Sequence, residues 1–237
     1  MGAPLLPTPA ANCDCTGTND TGTTGRTYIC RDPRLGPKRL PRRFPLLSFV
    51  SDYDRFGGEK PGVFLEKWTK DGSFVYPPQN GFQLTTDGRP ILGNMTLMVG
   101  TKVDRFGSEY GVSYAVIFKC KTSRAVASLM PISIFLAGSY VSAADAPYSQ
   151  RALPPSNLDT PVDTPEYPYN YHIYTVMKPL IVVGGPIAPW FGQPGLGAQF
   201  YVGATGNIMS LLAIGYLERV NKTKLETGPG RGGDCGL

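Results

Sequence analysis

Hydrophobic and polar positions change rhythm several times along the chain. Residues 171–183, YHIYTVMKPLIVV, are dense in β-branched and aromatic side chains and predict one or two strands interrupted at Pro179. Gly184-Gly185-Pro186 is expected to break that pattern. Leu97–Val103 and Phe200–Val202 read as further strands. Phe64, Leu65 and Trp68 fall at i, i+1 and i+4, which predicts a short helix over 62–70. Asp71-Gly72-Ser73 is a turn, after which Phe74–Tyr76 runs extended until Pro77-Pro78 stops it. Thr85–Gly88 is a second turn. Residues 208–220 carry Leu211, Leu212 and Leu217 and predict a short helix. The most apolar region is 112–138. Its longest uncharged run, Ala125–Gly138, has 14 residues and contains Pro131. A transmembrane helix needs roughly 20.

Composition narrows the fold. The 237 residues include 29 glycines and 23 prolines, an excess that disfavours a helical bundle. With 2 Trp, 13 Tyr and 11 Phe, the chain has too many aromatics to be wholly disordered. What remains is a turn-rich, strand-rich globular domain with loose ends. Residues 1–27 lack periodicity and read as a flexible arm, pinned if Cys13 or Cys15 pairs with Cys30. Residues 221–237 read as a disordered tail.

The net charge of +5 is modest. Arg31, Arg34, Lys38, Arg39, Arg42 and Arg43 cluster among prolines that prevent a regular helix. The segment reads as an extended basic strap over the core or, as a second possibility, a polyanion contact. Nucleic acid is not an expected partner. There are five cysteines, no Cys-x-x-Cys pair and one histidine, so a structural zinc site is not expected. Sequons at Asn19, Asn94 and Asn221 favour a secreted glycoprotein weakly. The first residues, MGAPLLPTPAANCDC, lack the basic start and apolar core of a signal peptide. Secretion therefore needs a leader outside this chain, or does not occur.

Generic catalytic signatures are mostly missing. There is no phosphate-binding Gly-x-x-x-x-Gly-Lys-Ser/Thr loop, no His-Glu-x-x-His helix and no Gly-x-Ser-x-Gly. The glycines at 192, 195 and 197 run in reverse order to the dinucleotide fingerprint and predict a tight loop. Three longer stretches are more specific: DRFGSEYG at 104–111, APYSQRALPP at 146–155 and GPIAPWFGQPGLGAQF at 185–200. YNYHIY at 169–174 lies between the last two. CRDPRLGP at 30–37 and YPPQNGF at 76–82 precede them. Together, over about 28–220, they resemble the TNT family, named after the mycobacterial necrotizing toxin. Within that family they look most like the fungal secreted and spore-surface NAD glycohydrolases, and the expected fold class is α+β: a compact, twisted, mainly antiparallel sheet with few short helices.

The resemblance implies hydrolysis of the nicotinamide–ribose bond of NAD+, with NADP+ as a second substrate. NAD+ is then the substrate, and no metal or redox cofactor is implied. Secretion or a cell or spore surface location, and a homodimer, are implied on the same ground. Bond cleavage builds positive charge on the ribose, and nicotinamide leaves neutral. Arg105 and Arg151 match the family arginines and suit a pyrophosphate clamp, since a guanidinium fork makes bidentate contacts to phosphate. Gln199 matches the catalytic glutamine. His172 is expected to orient the site. Phe106 and Tyr148 are expected to pack on a substrate ring, and Tyr140 with Val141 to wall the nicotinamide pocket. Arg105 beside Asp104 has a duller reading as a structural ion pair, and Arg151 is open to the same reading. Trp190 and Phe191 read as core.

In two places the chain departs from its relatives. There, the glycine closing the first stretch is followed shortly by Ala-Pro-Tyr; here Gly111 would join Ser139 naturally if 112–138 were absent. These 27 residues are expected to be an insertion or a translated intron. They fall between the two arginines, where an apolar loop can block a site. A catalytically impaired protein, or a basic surface-binding module, is therefore the alternative to an active enzyme. Fungal relatives can bind calcium through acidic residues near the C-terminus. Here residues 218–226 read ERVNKTKLE, whose lysines and arginine oppose Ca2+, and no such site is expected.

Overall fold

A computed structural model describes residues 11–19, 27–41, 46–106, 140–144, 146–158, 171–202 and 207–220. The expected insertion, the tail with the Asn221 sequon, Arg42 and Arg43 lie outside these residues. Nine strands are described: β1 (Thr69–Lys70), β2 (Ser73–Phe74), β3 (Gly93–Leu97), β4 (Lys102–Phe106), β5 (Tyr140–Ala143), β6 (Tyr171–Val176), β7 (Leu180–Pro186), β8 (Ala198–Tyr201) and β9 (Leu217–Arg219). The helices are α1 (Leu46–Phe49), α2 (Pro61–Trp68), α3 (Tyr148–Arg151) and α4 (Ile208–Ala213), with short 3-10 turns between. β1 and β2 form a small hairpin. The other seven strands make one sheet in the order β3-β7-β8-β5-β4-β6-β9, antiparallel at every pairing. This is the α+β class expected from the sequence.

Pleating sorts the sheet's side chains onto two faces. On one, Leu97, Val103, Val141, Tyr174, Val176 and Val182 bury against Ile208 and Leu211 of α4. On the other, Phe106 and Tyr171 pack with Phe49 of α1, Tyr148 of α3 and Leu158. A third cluster lies beneath α2 and the β1–β2 hairpin, where Phe56, Phe64 and Phe191 meet Trp68 and Trp190. Phe191 is thus core, as its sequence context suggests, and Trp190 is half-buried against the same cluster. The Cys15–Cys30 disulfide ties the N-terminal segment to the domain, and Cys13 is also disulfide-bonded. Asp14 pairs with Lys60 at 2.8 Å.

Three boundaries differ from the sequence expectation. Leu97–Val103 spans the end of β3, a connection and the start of β4. Gly100 there has φ of +87°, and Met98 and Val99 are exposed, so apolar character at 97–103 does not mark one strand. Gly184-Gly185-Pro186 continues β7 instead of ending it. A β-carbon on Gly185 would lie 2.2 Å from the Ile91 carbonyl oxygen, so glycine here admits a neighbouring backbone. The helix expected over 208–220 stops at Ala213. Gly215, with φ of +70°, turns the chain into β9. The start of the expected basic strap is not extended but forms two 3-10 turns, Ile29–Arg31 and Pro33–Leu35, with Arg34 paired to the buried Asp32 at 2.6 Å.

Candidate active site

The second and third family-like stretches meet through their backbones. The loop leading into β8 lies on α3: Gly195 N–H donates to the Ser149 carbonyl at 3.3 Å and Gly197 N–H to that of Gln150 at 3.0 Å. A β-carbon on Gly197 would stand 2.7 Å from the Gln150 oxygen, so only glycine permits this approach. Two residues further on is Gln199. The loop is also fixed from the far side, where Gln193 is buried and donates to the Asp54 carbonyl. The spacing of glycines that predicts a tight loop therefore sets the position of Gln199 relative to α3.

Arg151 ends α3, and its guanidinium is enclosed. Its side chain is 1% exposed and that of Asp104 is 0% exposed. The two make a fork-to-fork pair, Nη1 to Oδ1 at 2.5 Å and Nη2 to Oδ2 at 2.8 Å. Nε donates to the Ala146 carbonyl at 3.0 Å, and the Tyr171 hydroxyl donates to Asp104 at 3.1 Å. The faces of Phe49 and Phe106 lie 5.7 and 5.2 Å from the guanidinium carbon. A charge so placed joins α3 to β4, and its donors are directed at protein. The pyrophosphate clamp expected of Arg151 is not what this geometry offers. The duller ion-pair reading fits Arg151, which pairs with Asp104, 47 residues away.

Tyr148 and Phe106 also differ from expectation. Tyr148 is fully buried, its hydroxyl donates to the Pro154 carbonyl at 2.7 Å, and its ring meets Tyr53 and Phe106 edge-on. Burial pushes its phenol well above the ordinary value. Phe106 is covered by Tyr148, Tyr171 and Arg151. Both are core residues that support α3, with no ring face left for a ligand. Val141 is likewise buried, in the cluster beneath α4. Tyr140 opens β5, opposite Tyr201.

Arg105 faces away from this group. It alternates with Asp104 along β4 and is directly opposite His172 of β6, so both belong to the face shared with Val103 and Tyr174. Arg105 is 7% exposed, and the His172 ring stacks at 6.3 Å on Tyr174. Gln199 instead shares a row with Ser142 and Asp104 on the opposite face. With strands about 4.8 Å apart, Gln199 and Asp104 lie two strand spacings from each other. The structure thus brings together Gln199, α3 and the Arg151–Asp104 pair. Arg105 and His172 are one residue step further along the strands, on the other face.

Two contributors escape sequence reasoning. Asp104 reads as an accessory to Arg105, and nothing local ties it to residue 151. Asn80 lies in the YPPQNGF stretch, whose Asn-Gly step signals a turn. The Gln199 Nε2 donates to the Asn80 carbonyl at 3.0 Å. Among the described residues no group of three or more His, Cys, Asp or Glu side chains could hold a metal ion, and no helix is long and apolar enough to cross a membrane.

Comparison with known proteins identifies the family. The family model described as TNT, tuberculosis necrotizing toxin, matches residues 136–220. The conidial surface nicotinamide adenine dinucleotide glycohydrolase nadA of Aspergillus fumigatus is 45% identical over 204 residues, covering 84% of this chain and 74% of that protein. The chain belongs to the TNT family. A solved structure of tuberculosis necrotizing toxin (TNT) complexed with its immunity factor IFT aligns with this TNT chain at a TM-score of 0.46 and 19% identity. It covers 75% of this chain and 83% of that one. Tse6 in complex with Tsi6 aligns at 0.29 and 13%, covering 55% and 72%. The TNT match begins at 136, close to the end of the apolar segment 112–138.

Proposed function

We propose that this TNT-family chain is an NAD+ glycohydrolase of the cell or spore surface. It adds water across the nicotinamide–ribose bond and releases nicotinamide, ADP-ribose and a proton. The observation that carries the reading is the 45% identity to an NAD glycohydrolase over most of both chains. Because nicotinamide leaves neutral, the enzyme needs little acid assistance. It must hold the ribose while positive charge builds there, and it must direct one water. Gln199 is suited to this: it is half-buried, polar, and held at a fixed distance from α3 by Gly197. The family resemblance assigns Arg105 to the substrate's phosphates and His172 to orienting it, although sheet register sets both on the face opposite Gln199. Arg151 is assigned to holding α3 on β4. Homodimerisation and use of NADP+ belong to the same reading.

Sheet register supports treating 112–138 as inserted. β4 and β5 are antiparallel neighbours, with Val103 opposite Ala143 and Asp104 opposite Ser142. Residues 107–139, 33 in number, connect them; without the 27 residues of 112–138, six remain. Six residues is an ordinary length for such a connection.

The test is product analysis of NAD+ incubated with the full chain and with a form lacking 112–138. Equimolar nicotinamide and ADP-ribose from either form supports the reading, and the faster of the two shows whether the segment obstructs the site. Absence of both products from both forms rejects it. Sedimentation velocity on the same samples tests the dimer.

A further inference from the structure

The turn before Phe82 uses three successive left-handed residues to present one carbonyl. φ is +50° at Gln79, +58° at Asn80 and +79° at Gly81. Side chains rarely adopt this region, and it persists where the surroundings impose it. Here they do. The Gly81 carbonyl accepts from Ala188 N–H at 2.9 Å, Gln83 N–H donates to the Pro186 carbonyl at 2.9 Å, and Phe82 bridges Ile187. The Asn80 carbonyl, so anchored, receives Nε2 of Gln199 at 3.0 Å. A carbonyl oxygen only accepts, so the end of the carboxamide against it is the amine end. Oε1 is then the other end, and no described residue donates to it.

We propose that the Gln79–Gly81 turn is a positioning element of the active site, which fixes Gln199 so that Oε1 accepts a hydrogen bond from a substrate hydroxyl or from the attacking water. This rests on the reading of the chain as an NAD+ glycohydrolase. Ribose hydroxyls and water carry the proton that Oε1 requires, whereas ionised phosphate oxygens carry none. Across the neighbouring strands Gln199 faces Ser142 and Gly185, and from the turn it faces Asn80 and Gly81, all uncharged. Among the described residues, the ionisable groups at register positions on its face are Tyr201 on its own strand, Tyr140 opposite Tyr201, and, beyond Ser142, the Asp104–Arg151 pair with Lys102, Tyr171 and Glu218.

Gln199→Glu separates this from a simple acceptor role, because glutamate keeps Oε1 and loses the donor. Opposed to the Asn80 carbonyl, the ionised carboxylate is disfavoured, and its folded pKa rises above the unfolded value of about 4.3. The variant's stability relative to wild type is then fully present at low pH and falls as pH rises through that raised value. With etheno-NAD+, kcat at about pH 8 is expected to fall by at least ~100-fold with KM little changed. The deficit in kcat, and the deficit in Tm against wild type, both shrink toward about pH 5.5. Wild-type turnover by Gln199→Glu at about pH 8, or a Tm difference independent of pH, overturns the proposal. Gly81→Ala strains the turn and leaves Gln199 chemically intact; a fall in kcat of about tenfold or more is expected. A lowered Tm with unchanged kcat would also overturn it. If the wild-type chain releases no nicotinamide, the glycohydrolase reading fails, while the Tm comparison still decides whether Asn80 holds the amide.

Discussion

Arg151 and Gln199 lie on the same face of one sheet and are held in opposite ways. Arg151 is enclosed: carboxylate, carbonyl and two aromatic rings surround its guanidinium, and its side chain is 1% exposed. Gln199 is half-buried, with one amide end tied to a strained turn and the other without a described partner. A buried charge stabilises only while its counter-charge is present. A half-satisfied amide contributes little to stability and leaves an acceptor available for chemistry. The two regions communicate through α3, whose C-terminal residue is Arg151 and whose carbonyls receive Gly195 and Gly197. The ion pair therefore belongs to the scaffold, and the amide is the group that the proposed reaction uses.

The comparison is broken most severely at the ion pair. Asp104→Ala leaves Arg151 charged and unpaired in a closed space, and a loss of about 3–5 kcal/mol is expected. Denaturant titration measures it; a loss below about 1 kcal/mol would show that the pair is not structural. Next in size is Gln199→Ala. Its stability should stay within about 0.5–1 kcal/mol of wild type, while kcat on NAD+ falls by about 100- to 1000-fold. Differential calorimetry with steady-state kinetics on one preparation separates the two effects.

Gly197→Ala tests the connection between the regions. The new methyl would meet the Gln150 carbonyl oxygen at 2.7 Å, so β8 must lift from α3. The expected cost is about 1–3 kcal/mol, with kcat reduced more than the stability loss alone accounts for. A variant with normal kcat would show that α3 does not position Gln199. The smallest effect is expected from deleting 112–138. Shortening the β4–β5 connection from 33 residues to six lowers its closure entropy cost by about 1.5 kcal/mol. A modest rise in Tm is therefore predicted, and a large fall would mean that the segment packs as part of the fold.

Much of this was legible in the sequence where structure is decided locally. The strands on either side of Pro179 follow from β-branched and aromatic density, and α2 from the spacing of Phe64, Leu65 and Trp68. The ordered motifs pointed to the TNT family and to Gln199. What stayed hidden was tertiary. Gly184 and Gly185 look like breakers because glycine weakens an isolated strand, yet β7 uses them for close approach of its neighbours. Arg151 looks like a phosphate fork because its partner Asp104 is 47 residues distant and stands beside another arginine. Tyr148 and Phe106 look like ligand-stacking rings until the second core cluster closes over them.

The central claim is that water is added to NAD+ with Gln199 in contact with the reacting ribose or water. It is tested most directly by nicotinamide release from NAD+ by wild type and by Gln199→Ala, compared at a temperature where calorimetry shows both folded. The account predicts steady release by the wild type and a loss of about 100-fold or more in the variant. Equal rates from the two folded proteins would contradict it.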